Sequence, residues 1–305
     1  MVSPNKSNIK KSAELIQITK RYLKKPEWLK IKVPSGDGFK EVFKILKSHH
    51  LSTVCKEARC PNINDCWNRR QATIMILGKV CTRACRFCAV KTGNPGGVLN
   101  PEEPENVAEA VKELKLRYVV LTSVDRDDLP DHGSGHYART IKSIKNKNPG
   151  VLIEALIPDF SGNKSFIKKV VDTKPKVIGH NLETVKKLTP LIRDRRFSYE
   201  KSLNVLRTVK ELDRKIYTKS GIMLGLGEEK DQVIQTLQDL RDAQVDIVTL
   251  GQYLQPTRRH HPVQKYYTPQ EFEFFKKFAE DMGIRYVISG PLVRSSYHAE
   301  EIFLE

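Results

Sequence analysis

Between residues 72 and 290, short apolar runs alternate with longer stretches in which apolar residues recur every three or four positions. The short runs predict β-strands at 72–77, 118–122, 151–156, 177–179, 220–223 and 247–250. The longer stretches predict helices at 105–114, 136–145, 164–171, 183–188, 199–212 and 232–243. This alternation implies an α/β domain with a parallel sheet. Right-handed crossovers would curl it into an open partial barrel or a doubly wound sheet. Residues 269–282 read as a further amphipathic helix and 285–289 as a last strand. Residues 1–50 predict a helical, partly mobile arm, interrupted at Pro26 and Pro34 and turning at 35–38. Residues 51–71 show little periodicity and read as a loop.

Polar residues gather where these strands end. The first strand runs into Gly78 and Cys81, the second into Ser123 and the acidic run Asp125 to Asp128. The fourth ends in His180-Asn181, the fifth at Gly225 to Glu228 and the sixth at Gly251-Gln252. Function collects at the carboxyl ends of parallel strands, so one face of this domain is rich in candidate ligands.

Charge adds a second constraint. The 305 residues carry 53 Lys and Arg against 36 Asp and Glu, a net charge of +17. Such a balance suits an anionic surface, a nucleic acid or an acidic protein, or simply a coat of solvated lysines. Local clusters occur at 20–25, 193–196 and 258–261, and none alternates with aromatics as a base-stacking surface would. No apolar run reaches the roughly 18 residues of a transmembrane helix, and residues 1–25 lack the apolar block of a secretory signal. A cytoplasmic protein is expected.

Cysteine usage is the sharpest signal. All six cysteines fall between Cys55 and Cys88, a density that points to metal binding rather than a disulfide scaffold or core packing. Cys81, Cys85 and Cys88 follow the first strand directly. Three closely spaced thiolates can hold a [4Fe–4S] cluster and leave its fourth iron open. Tetrahedral zinc prefers paired CxxC units, and only one CxxC is present. Cys55, Cys60 and Cys66 form a second trio, again one ligand short, with no seventh cysteine to complete it.

The CxxxCxxC motif with Phe87 before its last cysteine resembles the signature of the radical S-adenosylmethionine superfamily. The two trios together resemble the lipoyl synthase family. Supporting segments are Arg59-Cys60-Pro61-Asn62, Thr122 to Leu129, Glu154 to Phe160, His180 to Val185, Arg193 to Phe197, Thr218 to Glu228, Gly251 to Pro256 and Gly290 to Tyr297. The likeness runs from about residue 50 to residue 300. One departure is His132, which stands where the family is expected to have glycine.

The resemblance implies a partial (β/α)6 barrel of the TIM type with N-terminal cluster-binding and C-terminal extensions. It divides the chain into an extension with the auxiliary-cluster cysteines (1–71), the barrel (72–268) and an extension carrying Arg294-Ser295-Ser296-Tyr297 (269–305). It further implies two [4Fe–4S] clusters. Cys81, Cys85 and Cys88 would bind the cluster that cleaves S-adenosylmethionine to a 5′-deoxyadenosyl radical. Cys55, Cys60 and Cys66 would bind the auxiliary cluster, with Ser296, or failing it Ser295, as the non-cysteine ligand. An oxygen ligand is harder and more labile on iron than a thiolate. Phe87, Ser123, Asn181 and Met223, at strand ends or in the cluster loop, are expected to contact S-adenosylmethionine.

The implied reaction inserts sulfur, drawn from the auxiliary cluster, at C6 and C8 of an octanoyl chain on a lysine of a lipoyl carrier domain. A flavodoxin- or ferredoxin-type electron donor and an iron–sulfur carrier for cluster rebuilding are expected partners; nucleic acid and membrane are not. Lipoyl domains are often acidic, which gives the positive charge a protein partner. Two rivals are a tRNA methylthiotransferase, which should carry an RNA-binding domain that too few residues follow Leu250 to supply, and a non-catalytic zinc or iron–sulfur module, which leaves the strand-end polar residues unexplained.

Overall fold

The computed structural model of the chain describes residues 23–31, 34–297 and 299–303. The reading of residues 1–22 as part of a helical arm lies outside them. The elements in chain order are α1 (Asp37–Ser48), β1 (Ser52–Thr53), α2 (Val54–Glu57), α3 (Ile63–Asn68), β2 (Thr73–Ile76), β3 (Val80–Cys81) and β4 (Lys91–Thr92). Then follow α4 (Glu103–Glu113), β5 (Tyr118–Ser123), α5 (Ser134–Lys147), β6 (Leu152–Leu156), α6 (Lys164–Val171), β7 (Val177–Gly179), α7 (Thr189–Ile192) and α8 (Tyr199–Leu212). The chain continues with β8 (Tyr217–Leu224), α9 (Lys230–Asp242), β9 (Ile247–Gln252), α10 (Pro269–Asp281) and β10 (Tyr286–Gly290).

One sheet runs β1-β2-β5-β6-β7-β8-β9-β10, and every pairing in it except β1 with β2 is parallel. Its two edge strands, β1 and β10, are not paired with each other, so the barrel stays open. All six strands expected from the apolar runs are present. The last strand adds a seventh, with Tyr286 opposite Ile247 in β9.

Side chains alternate across the sheet. Val119 and Leu121 of β5, Ile153 and Ala155 of β6, and Ile222 and Leu224 of β8 join the apolar cores under the helices. Tyr118, Glu154, Lys219 and Met223 therefore face the lumen. There the Lys219 ammonium sits 2.9 and 3.0 Å from the Glu154 carboxylate oxygens, and the Tyr118 hydroxyl donates to the same carboxylate at 2.7 Å. The tail crosses this inner face where strands begin: Ala299 and Phe303 pack on Tyr118, Val120 and Leu152.

Helix starts follow capping chemistry. Thr268 and Glu271 form a capping box at α10, Glu229 and Gln232 another at α9, and the Ser198 side chain caps α8.

Three local expectations need correction. Residues 183–188 are not a helix. Glu183 adopts φ +69° and bridges to Ile222, and helix α7 begins only at Thr189. Leu182, Val185 and Leu188 all pack in the core, and their spacing of three imitates a helical stripe. Residues 51–71 are not a plain loop but contain β1, α2 and α3, pieces too short to show a period. Asp37 and Gly38 belong to α1 rather than to the turn before it.

Candidate functional site

The loop bearing Cys81, Cys85 and Cys88 leaves β2 through Leu77 and Gly78, both at positive φ, and is pinned at its base where β3 pairs with β4. Backbone N–H groups are aimed at its sulfurs. Arg83 N and Asp125 N each lie 3.4 Å from Cys81 Sγ, and Asp194 N lies 3.3 Å from Cys85 Sγ. Such donors favour the thiolate form. Burial nevertheless pushes each of the three thiols up to about 12. Deprotonation here needs the positive charge of bound metal.

Charge holds this loop in place. The buried Arg83 guanidinium pairs with Asp127 at 2.7 Å, Asp159 at 2.8 Å and Asp125 at 3.4 Å. Burial disfavours the Asp127 carboxylate, but hydrogen bonds from Arg83 and Thr82 outweigh it and hold the group down at about 2. Asp125 goes the other way, raised by burial to about 6. Phe197 lies under two guanidiniums, Arg83 at 4.2 Å and Arg193 at 3.8 Å. Farther along, Asp194 accepts from Ala84 N at 2.9 Å, and His260 Nε2 bonds the Cys88 carbonyl at 2.9 Å.

The four residues expected to meet S-adenosylmethionine divide into two pairs. Ser123 ends β5 and Asn181 follows β7, and Ser123 Oγ and Asn181 Oδ1 are buried without hydrogen-bond partners. Buried polar atoms left unpaired are costly, and these two keep hydrogen-bonding capacity at the strand ends. Gly221 leaves room beside Asn181, since a Cβ there would lie 3.1 Å from Asn181 Oδ1. Phe87 and Met223 are half-buried and pack against the second apolar core.

The second trio is assembled elsewhere. Cys55, Cys60 and Cys66 line one cavity with Thr73 and Tyr118, the first residues of β2 and β5, and with Arg294, Ser296, Tyr297 and Glu300 of the tail. Ser295 is not among its lining residues. Cys81, by contrast, follows the far end of β2, so the two trios sit at opposite ends of one strand. Long-range hydrogen bonds close the cavity. Asn62 Nδ2 donates to the Leu292 carbonyl at 2.6 Å, and the Thr73 hydroxyl donates to Ser296 Oγ at 2.7 Å. Gly251 admits the tail: a Cβ there would lie 2.0 Å from the Val293 carbonyl oxygen. Burial raises the Cys55 thiol to about 11 and the Cys66 thiol to about 12, and it raises Cys60 while Arg294 pulls that thiol down.

Among the described residues no three His, Cys, Asp or Glu side chains converge tightly enough for a single metal ion. The thiols instead surround a cavity in one case and a loop in the other, and in a four-iron cube each thiolate meets its own iron. Arg83, Thr73 and Tyr118 were not singled out from the sequence, and Arg294 entered only as part of the tail motif. Of the first three, only the arginine inside the CxxxCxxC spacing could have drawn notice there.

The chain matches the Radical SAM superfamily over residues 75–240 and the N-terminal domain of lipoyl synthase of the Radical SAM family over residues 2–60. It is 52% identical to a lipoyl synthase of Halorhodospira halophila, over 92% of this chain and 84% of that protein. A lipoyl synthase of Thermus thermophilus is 51% identical over 92% of this chain and 87% of its own. The chain belongs to the lipoyl synthase family. A mitochondrial lipoyl synthase of Schizosaccharomyces pombe, 53% identical over 92% of this chain and 77% of its own, carries the likeness into a eukaryote. Among solved structures, methylornithine synthase aligns with a TM-score of 0.53 at 13% identity, over 85% of this chain and 88% of that one. At that identity the match speaks for the fold alone. Membership makes this chain a sulfur-inserting enzyme that uses [4Fe–4S] clusters and S-adenosylmethionine. The His132 departure is absorbed locally: the residue adopts φ +52°, the left-handed region that glycine favours, and lies beside the Phe166 ring at 5.8 Å. Such a conformation costs a non-glycine residue roughly 1–2 kcal/mol.

Proposed function

We propose that the two cysteine trios divide the labour of lipoyl synthesis, with Cys81, Cys85 and Cys88 holding the S-adenosylmethionine-cleaving cluster and Cys55, Cys60, Cys66 and Ser296 holding the sulfur donor. The observation that carries this reading is the cavity where three thiols from residues 55–66 meet the Ser296 hydroxyl from the tail. When bound, the cofactors supply a 5′-deoxyadenosyl radical that removes hydrogen at C6 and C8 of a protein-bound octanoyl chain, and two sulfur atoms for those carbons. The protein's part is placement and exclusion of water. Unpaired Ser123 Oγ and Asn181 Oδ1 bind S-adenosylmethionine from the strand ends, and Phe87 and Met223 close against it. Arg83 and its aspartates fix the loop so that its thiolates keep one geometry. Thr73 donates to Ser296 Oγ, which aims that oxygen's lone pairs and keeps it a weak ligand.

The domain plan follows: residues 1–71 and 269–305 build the donor site around a barrel of residues 72–268. The substrate is an octanoylated lipoyl carrier domain. A flavodoxin- or ferredoxin-type protein supplies electrons, an iron–sulfur carrier rebuilds the donor cluster, and the enzyme works in the cytoplasm without nucleic acid. Among the described residues no helix is long and apolar enough to cross a membrane. The test is an anaerobic incubation with octanoyl-lysyl peptide, S-adenosylmethionine and dithionite, read by mass. A gain of two sulfur atoms is expected; unchanged peptide from iron-loaded enzyme overturns the reading.

A further inference from the structure

Arg195, Arg258 and Arg259, in the clusters at 193–196 and 258–259, have no part in the chemistry above, yet the fold brings both clusters to the same loop. Arg86 N donates to the Ile192 carbonyl at 2.8 Å, and the Arg86 carbonyl accepts from His261 N at 2.9 Å. Arg196 Nη2 donates to the Thr82 carbonyl at 2.5 Å. Arg86, Lys91, Arg195, Arg196, Arg258 and Arg259 are all exposed. Acid is missing from the same stretches: the sequence has no Asp or Glu between Asp65 and Glu102, nor between Asp246 and Glu271. Asp194, the one acid between residues 184 and 199, is engaged by Ala84 N and by Arg196. Ala84 and Arg86, the neighbours of Cys85, are both exposed, and Cys85 itself is partly exposed between them.

We infer that this arginine rim is the docking surface for the one-electron donor, an acidic redox protein seated over Cys85. The inference rests on the assignment of Cys81, Cys85 and Cys88 proposed above. One electron passes from the donor, which is oxidised, to the centre those residues hold, which is reduced; no bond forms or breaks in this step. A rim of one sign steers an oppositely charged partner and sets its register. Arginine suits the task because its planar fork binds carboxylates two at a time. A nucleic acid is the poorer occupant, since Phe197, the aromatic within the 193–197 segment, is taken up by Arg83 and Arg193 and offers no stacking platform.

The test uses the iron-loaded full chain and two double variants, R195E/R259E and R195Q/R259Q. With dithionite and octanoyl-lysyl peptide, both variants should match the wild type. With reduced acidic flavodoxin, its half-saturating concentration should rise roughly tenfold in the Glu variant and about threefold in the Gln variant, and its salt dependence should flatten. Half-saturation within about twofold of wild type in both variants overturns the inference. So does a rise for an octanoylated carrier domain instead of the flavodoxin, which makes the rim a substrate surface. A loss of both variants' activity with dithionite also overturns it, because the arginines then hold the loop rather than a partner. Failure of the wild type with dithionite is a different result, and it strikes the assignment of function rather than the rim.

Discussion

The loop at 81–88 and the cavity of residues 55–66 each gather three thiols, but they are built by different means. Around the loop the scaffold is ionic: one buried guanidinium, Arg83, is shared by three aspartates, and Asp194 and Arg196 add further clamps. Around the cavity the lining is mostly neutral, made of hydroxyls, amides and the Tyr118 and Tyr297 rings, with Arg294 and Glu300 as its charged members. The loop's cysteines lie within eight residues of one another, whereas the cavity needs Leu292 to reach Asn62 across 230 positions of sequence. On the proposed division of labour, the site that survives each turnover benefits from a rigid charged frame. The one that surrenders its contents benefits from walls that can part, and hydrogen bonds between neutral groups break more cheaply than a buried ion network.

This contrast can be broken most severely at the cavity's thiols. Replacing Cys60 with Ala should abolish dithiolated product while 5′-deoxyadenosine still forms. If that variant makes lipoyl product, or loses cofactor cleavage while retaining a reducible cluster at 81–88, the division of labour is wrong. The mirror experiment is Arg83→Met, which strands three carboxylates. Breaking such a buried pair costs about 3–5 kcal/mol, so cofactor cleavage should collapse while iron at the cavity remains countable by Mössbauer spectroscopy. Equal loss of iron from both sites would show that the two frames are not independent.

Gly251→Ala sharpens the comparison from the tail. Its new methyl meets the Val293 carbonyl, and overpacking of this kind costs about 1–3 kcal/mol. The donor cluster should be lost or weakened with cleavage intact, which side-by-side iron and 5′-deoxyadenosine assays would reveal. Ser296→Ala should act in the same direction more mildly, since three thiolates still hold the cluster; wild-type product yield would argue against Ser296 as a ligand.

The smallest effect concerns pH. Burial, aided by Arg193, lowers His180 from 6.5 to about 4 in the folded chain. The unfolded chain therefore takes up the proton first. Stability from neutral His180 is complete above pH 6.5 and declines as pH falls from there toward 4, by roughly 3 kcal/mol in all. Urea midpoints of wild type and His180→Gln should converge across that range, and parallel curves would remove His180 from the account.

The sheet was legible because seven short apolar runs met the period and length of buried strands. The helix expected at 183–188 failed because tertiary burial of Leu182, Val185 and Leu188 reproduces a helical spacing without helical dihedrals. The thiols themselves were plain from their density. Ser296 was visible only through family resemblance, since nothing local separates a ligand serine from a turn serine. Arg83 and Thr73 were invisible for another reason: their partners, Asp159 and Ser296, lie 76 and 223 residues away.

That distance between Thr73 and Ser296 bears on how the enzyme comes into being. A ribosome delivers Cys55, Cys60 and Cys66 early, yet the wall that faces them is translated only with residues 292–300. Until then the three thiols have no enclosed space to share. The walls of this cavity come together only when residues 292–300 fold back onto residues 55–66, so its closure waits on long-range contact and not on local folding.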